Sequence, residues 1–94
     1  KGELGEDKSF YFRGPAGALH LRAHNLTIFL QMADGVDDAT WLHHLHRGDY
    51  TRWFREAIKD DALADEAMRL QDNEDSQATR RQMRALIDQR YTLS

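Results

Sequence analysis

The sequence predicts a mainly α-helical domain, a compact bundle of about five short helices with an N-terminal β-hairpin. Three observations carry this. From Leu26 onward apolar residues recur at i, i+3 and i+4, the spacing that lines one face of a helix. Residues 10–22 alternate apolar and polar with period two, as strands do. Asn or Asp precedes each helical stretch, where a short side-chain acceptor satisfies the unpaired N–H groups of a first turn.

Lys1 to Ser9 is charged and contains glycine, so it reads as a flexible leader. In the next stretch Phe10, Phe12, Leu19 and Leu21 alternate with Tyr11, Arg13, His20 and Arg22. Gly14-Pro15-Ala16-Gly17 between them has the chemistry of a tight turn, proline presetting one dihedral and glycine tolerating positive φ. A hairpin over about 10–22 follows. Two strands alone are marginal in water, so it must lie on the helices or extend a sheet elsewhere.

Helices are expected over about 25–92, completing a single domain over 10–94. Asn25 caps the first, whose face is Leu26, Phe29, Leu30 and Ala33 and which ends at Gly35. Asp37 and Asp38 supply a cap and negative charge to the second, which carries Trp41, Leu42 and Leu45 and stops at Gly48. Asp49 is expected to cap a third with Trp53, Phe54, Ala57 and Ile58. Asp60-Asp61 opens a fourth, with Leu63, Ala64, Ala67, Met68 and Leu70 on one stripe. Asp75 or Ser76 caps the last, which turns Met83, Leu86, Ile87 and Tyr91 inward and Arg80, Arg81, Arg84 and Arg90 outward.

Composition narrows the function. In 94 residues a single core must be built from few large side chains, and residues 41–58, WLHHLHRGDYTRWFREAI, concentrate them. Hydrophobic residues at 40% and charged residues at 31% place the chain among ordinary folded proteins rather than disordered ones. A formal net charge of −3 provides no global field for nucleic acid or an anionic membrane. The absence of cysteine excludes disulfides, thiolate nucleophiles and cysteine-type zinc sites. No apolar run approaches a membrane span, and the acidic, polar start is unlike a signal peptide, so a cytoplasmic setting is the default expectation. The first residue is Lys rather than Met, which leads to the expectation of a piece of a longer protein.

No catalytic motif is legible: HExxH, GxSxG and phosphate-cradling glycine loops are all missing, and no cofactor is implied. His43 and His46 share a helix face at i, i+3, yet the pattern offers no third ligand, so no metal is assigned. His43 or His44 is instead expected to pack on Trp41 or to bond a helix end. Arg47, Arg52 and Arg55 surround the aromatic turn, interleaved with Asp49, Glu56, Asp60 and Asp61, which argues for a solvated charged face and against nucleic acid. The residues singled out for contact with a partner or an anion are Arg47, Tyr50, Arg52, Arg55, His43 and His46. Trp41, Trp53 and Phe54 are assigned to the core.

The segments FYFRGPAGALHLRAHNL, FLQMADGVDDATWLHHLHRGDYTRWFREAIKDDALADE and, more loosely, RYT resemble the C-terminal extension of bacterial haloacid-dehalogenase-type phosphatases. The central WLHHLHRGDYTRWFREAIKDDALA is also similar to small helical domains of unknown function in bacteria and archaea. In such phosphatases the nucleophile is an aspartate in a DxDxT-type motif, which this chain lacks, so no catalytic residue carries over. The resemblance implies a non-catalytic accessory domain, partnered by the parent's catalytic domain or by itself, with any hydrolase activity left to the parent. A different reading of the same arginines and histidines is a sensor of phosphate or a phosphorylated metabolite.

Overall fold

Phe10 and Phe12 point to one side of their strand, and the chain uses them to seal a helical core. The computed structural model describes residues 5, 8–13 and 21–91. Strand β1 (Phe10–Phe12) pairs antiparallel with β2 (Leu21–Ala23), in the register Phe10 opposite Ala23 and Phe12 opposite Leu21. Phe10, Phe12 and Ala23 are buried, whereas Leu21, at the margin of the same face, remains 38% exposed. The expected GPAG turn and Leu19 lie outside the described residues.

Five α-helices follow: α1 (Leu26–Gly35), α2 (Asp38–Arg47), α3 (Asp49–Trp53), α4 (Asp61–Met68) and α5 (Ser76–Arg90). The mainly helical class with an N-terminal hairpin is therefore the observed one. The cap residues explain most of the boundaries. Asn25, Asp37, Asp60 and Asp75 each accept a hydrogen bond from the backbone N–H three residues on, at 2.8, 3.2, 3.0 and 3.0 Å. Gly48 ends α2 in the left-handed region at φ 76°, a conformation glycine adopts without the Cβ penalty. Asp49, expected as the next cap, makes no capping bond; Gly48 holds the cap position and Asp49 sits in the first turn of α3.

Past Trp53 the helix widens into a single π-helical turn, Phe54–Ile58, closed by Lys59 at φ 66°. A lysine there carries the steric cost that glycine avoids, and the bond from Asp60 N–H to the Phe54 carbonyl at 3.0 Å holds it. Two stripe assignments shift. Met68 is 45% exposed, because α4 buries only Leu63, Ala64 and Ala67. Arg80 is not on the outer face of α5: its side chain is only 9% exposed, with the guanidinium 5.9 Å from the Trp41 ring and bonded to Asp38 and the Val36 carbonyl.

The core is centred on a cluster of aromatic rings drawn from β1, α1, α2, α3 and the π-helical turn, and α4 and α5 pack Leu63, Met83 and Ile87 into the same core. Phe29 lies within 6.5 Å of Phe10, Phe12, Trp41, Tyr50, Trp53 and Phe54, and Trp41 stacks on Tyr50 at 4.5 Å. The leader also differs from expectation near its end. Ser9 is buried and donates to the Gly5 carbonyl, while the Lys8 carbonyl accepts from Trp53 Nε1. Among the described residues no helix is long and apolar enough to cross a membrane.

Candidate functional site

The tight turn at Gly48 brings the last turn of α2 against the first turn of α3, and Asp49 becomes the point on which the local charges converge. Its Oδ2 lies 2.8 Å from His44 Nδ1 and 3.4 Å from Arg47 Nε; its Oδ1 accepts from Arg52 at 3.1 Å. His44 is buried among Phe10, Phe12 and Tyr50, with ring centroids 5.2, 6.0 and 6.0 Å away. On its other side Nε2 accepts the backbone N–H of Arg13 at 3.0 Å. A donor facing Nε2 requires a lone pair there, so the ring is neutral with its proton on Nδ1, donated to Asp49. Burial pushes the His44 pKa below its ordinary value of 6.5, against the hydrogen bond and charge of Asp49.

The residues predicted for contact therefore divide. Arg47 and Arg52 are outside, with side chains 63% and 57% exposed, and they share the single Asp49 carboxylate. Arg55 is tied to α4, bonded to Asp65 at 2.6 Å and 3.7 Å from Asp61, rather than standing beside the other two on Asp49. His46 is exposed and donates from Nε2 to the Asn73 carbonyl at 3.1 Å; His43 is half-buried with its ring 5.2 Å from that of His44. Tyr50 lies in the core rather than on the outer face where contact was expected. Its ring stacks under Trp41 and its hydroxyl donates to the Trp41 carbonyl at 3.0 Å, because the tight turn directs this side of α3 inward. Among the described residues no group of three or more His, Cys, Asp or Glu side chains is arranged to hold a metal ion.

A second polar cluster was not anticipated beyond the cap itself. Besides capping α4, Asp60 accepts through Oδ2 from Arg90 Nε at 2.6 Å and from the Tyr91 hydroxyl at 2.8 Å, fastening the end of α5 to the start of α4. Burial opposes ionisation of Asp60, but the bonds from Arg90, the Leu63 N–H and Tyr91 outweigh it and hold the carboxyl at about 2 instead of 3.8. Burial and the Asp60 carboxylate push the Tyr91 phenol up to about 12. A carboxyl depressed on folding contributes stability that is complete above its unfolded value and is lost as pH falls toward its folded value. Asp60→Ala is thus expected to cost about 1–2 kcal/mol near neutral pH through the lost cap alone. That deficit relative to the parent sequence should narrow as pH drops from about 5 to about 2, as read by urea unfolding. A deficit constant across that range would mean that Asp60 is not held ionised.

Between α4 and α5 lies a shallow, mostly apolar groove of about 280 Å³ lined by Glu66, Arg69, Leu70, Gln82, Ala85 and Leu86. It shares no residue with the Asp49 or Asp60 clusters.

Together, the fold and the turn define a small helical domain in which Arg47 and Arg52 stand largely exposed on the outer edge of the α2–α3 turn. Comparison with known proteins finds no matching family model, no matching curated protein and no matching solved structure.

Proposed function

We propose that this chain is a non-catalytic accessory or interaction domain of a larger, phosphatase-like protein, and that it docks on its partner through the outer edge of the α2–α3 turn. The observation that supports this reading is the pair Arg47 and Arg52. Both guanidiniums stay largely exposed while sharing one carboxylate, leaving one positive charge unbalanced and several N–H donors free to meet an acidic surface. The turn that presents them is braced from behind by His44 and by Tyr50, so the donors are displayed by a rigid base. The phosphatase assignment rests on the sequence resemblance, and the partner is either the parent's catalytic domain or a second copy of the chain.

The alternative, a sensor of phosphate or a phosphorylated metabolite, draws on the same pair, since two guanidiniums converging on one carboxylate are also placed to grip a phosphate. One double variant separates the two. In the full-length parent, Arg47→Ala with Arg52→Ala is expected to change phosphatase activity or sedimentation behaviour. Unchanged activity together with an unchanged oligomeric state would remove the contact assignment. If millimolar inorganic phosphate raised the melting temperature of the isolated domain and the double variant abolished that rise, the sensor reading would replace it.

A further inference from the structure

We propose that His44 is a proton-operated latch: in its neutral form it pins the backbone of Arg13, the residue after β1, onto α2, and on protonation it lets that residue go. The Arg13 backbone N–H is bonded to His44 Nε2 across 31 residues of sequence. This is a side-chain bond from α2 to the end of the hairpin strand. A proton on Nε2 would place two donors face to face, so the protonated ring and the Arg13 N–H cannot both keep their positions.

The groups around the ring decide which gives way. From α3, the Asp49 carboxylate favours the charged ring and holds Nδ1 in place at 2.8 Å, so the ring stays where it is. From α2, His43 and Arg47 oppose the charge, and from α3 Arg52 donates to the far oxygen of Asp49. Tyr50 contributes a buried phenol that stays neutral, burial holding its pKa well above the ordinary value. From β1, Phe10 and Phe12 contribute uncharged rings, and the Arg13 guanidinium lies over Tyr11 at 5.0 Å. The Asp49 bond anchors the ring while Arg13 is exposed, so the Arg13 backbone moves and the aromatic core behind it does not. The direction of the switch follows from the folded ring's preference for the neutral form: the latch is closed above the ordinary histidine range and opens as pH falls below it.

The test is backbone amide hydrogen exchange by NMR on the whole chain between about pH 7.5 and about pH 5, each rate referred to its intrinsic value. Protection at Arg13 should fall by about tenfold per pH unit once the ring titrates, while protection at Phe29 and Leu45 holds. In His44→Gln, whose amide oxygen can accept the same N–H without titrating, Arg13 protection should not respond to pH. Arg13 protection that stays constant in the wild-type chain, or that is lost in step with Phe29 and Leu45, would overturn the latch. The wild-type comparison decides this even if the glutamine variant folds poorly.

Discussion

Trp41→Ala is expected to destabilise the domain by about 3–5 kcal/mol, the range for removing a fully buried tryptophan from a packed core. Three separate ties are lost. The ring is fully buried and stacks on Tyr50 at 4.5 Å. Its Nε1–H donates to Thr79 Oγ1 at 2.9 Å, a buried side-chain hydrogen bond that joins α2 to α5. Its face also receives the Arg80 guanidinium, which without the ring would line an empty volume. Trp41→Phe keeps part of the ring packing and loses the bond to Thr79. That hydroxyl still donates to the Asp75 or Ser76 carbonyl, so the smaller change is expected to cost distinctly less. Urea unfolding of the two variants reads both values. A loss under about 1 kcal/mol for alanine would mean that Trp41 is not central to the core.

Phe12→Ala is expected to cost a similar amount, about 3–5 kcal/mol, although it lies in a three-residue strand. The ring is fully buried, 4.9 Å from Phe10, stacked over Phe29 at 5.6 Å and edge-on to His44 at 6.0 Å. The hairpin is therefore part of the same cooperative unit as the helices, and unfolding should remain a single transition with an earlier midpoint. If the strand were an appendage, the variant would lose protection at the hairpin amides and leave the midpoint of the helices unchanged. Coincidence of hairpin and helix transitions is the outcome expected here.

These two residues also mark how far the sequence was legible. Phe12 in an alternating stretch and Trp41 in a helical stripe were assigned to strand and core by spacing alone, because periodicity reports which face is buried. The cap at Asn25 was equally readable, and those at Asp37, Asp60 and Asp75 were readable to within one of two adjacent residues, since capping depends on local chemistry. What spacing could not show was the use made of side chains across the fold. Arg80 looks like one cation among several on α5, and only the placement of Trp41 beneath it draws it inside. Thr79 belongs with Met83 and Ile87 at i, i+4 intervals, a signal its polar character concealed. Tyr50 was given an outer role because it adjoins the Gly48-Asp49 turn; the angle between α2 and α3, which no local pattern encodes, sends it under Trp41 instead. The convergence of His44, Arg47 and Arg52 on Asp49 was hidden for the same reason, and so were Arg90 and Tyr91 on Asp60, some 30 residues away in sequence. Local propensity set the elements, and tertiary contacts set the roles of the polar residues.

The central claim is that the turn between α2 and α3 divides into a buried brace and a pair of arginines held in reserve for recognition. Urea unfolding of the Arg47→Ala and Arg52→Ala double variant tests it most directly. Exposed ion pairs contribute little, and Asp49 retains its bond from His44, so stability should fall by about 1 kcal/mol or less. A loss approaching that of Trp41→Ala would show that the arginines belong to the scaffold, and the division would fail.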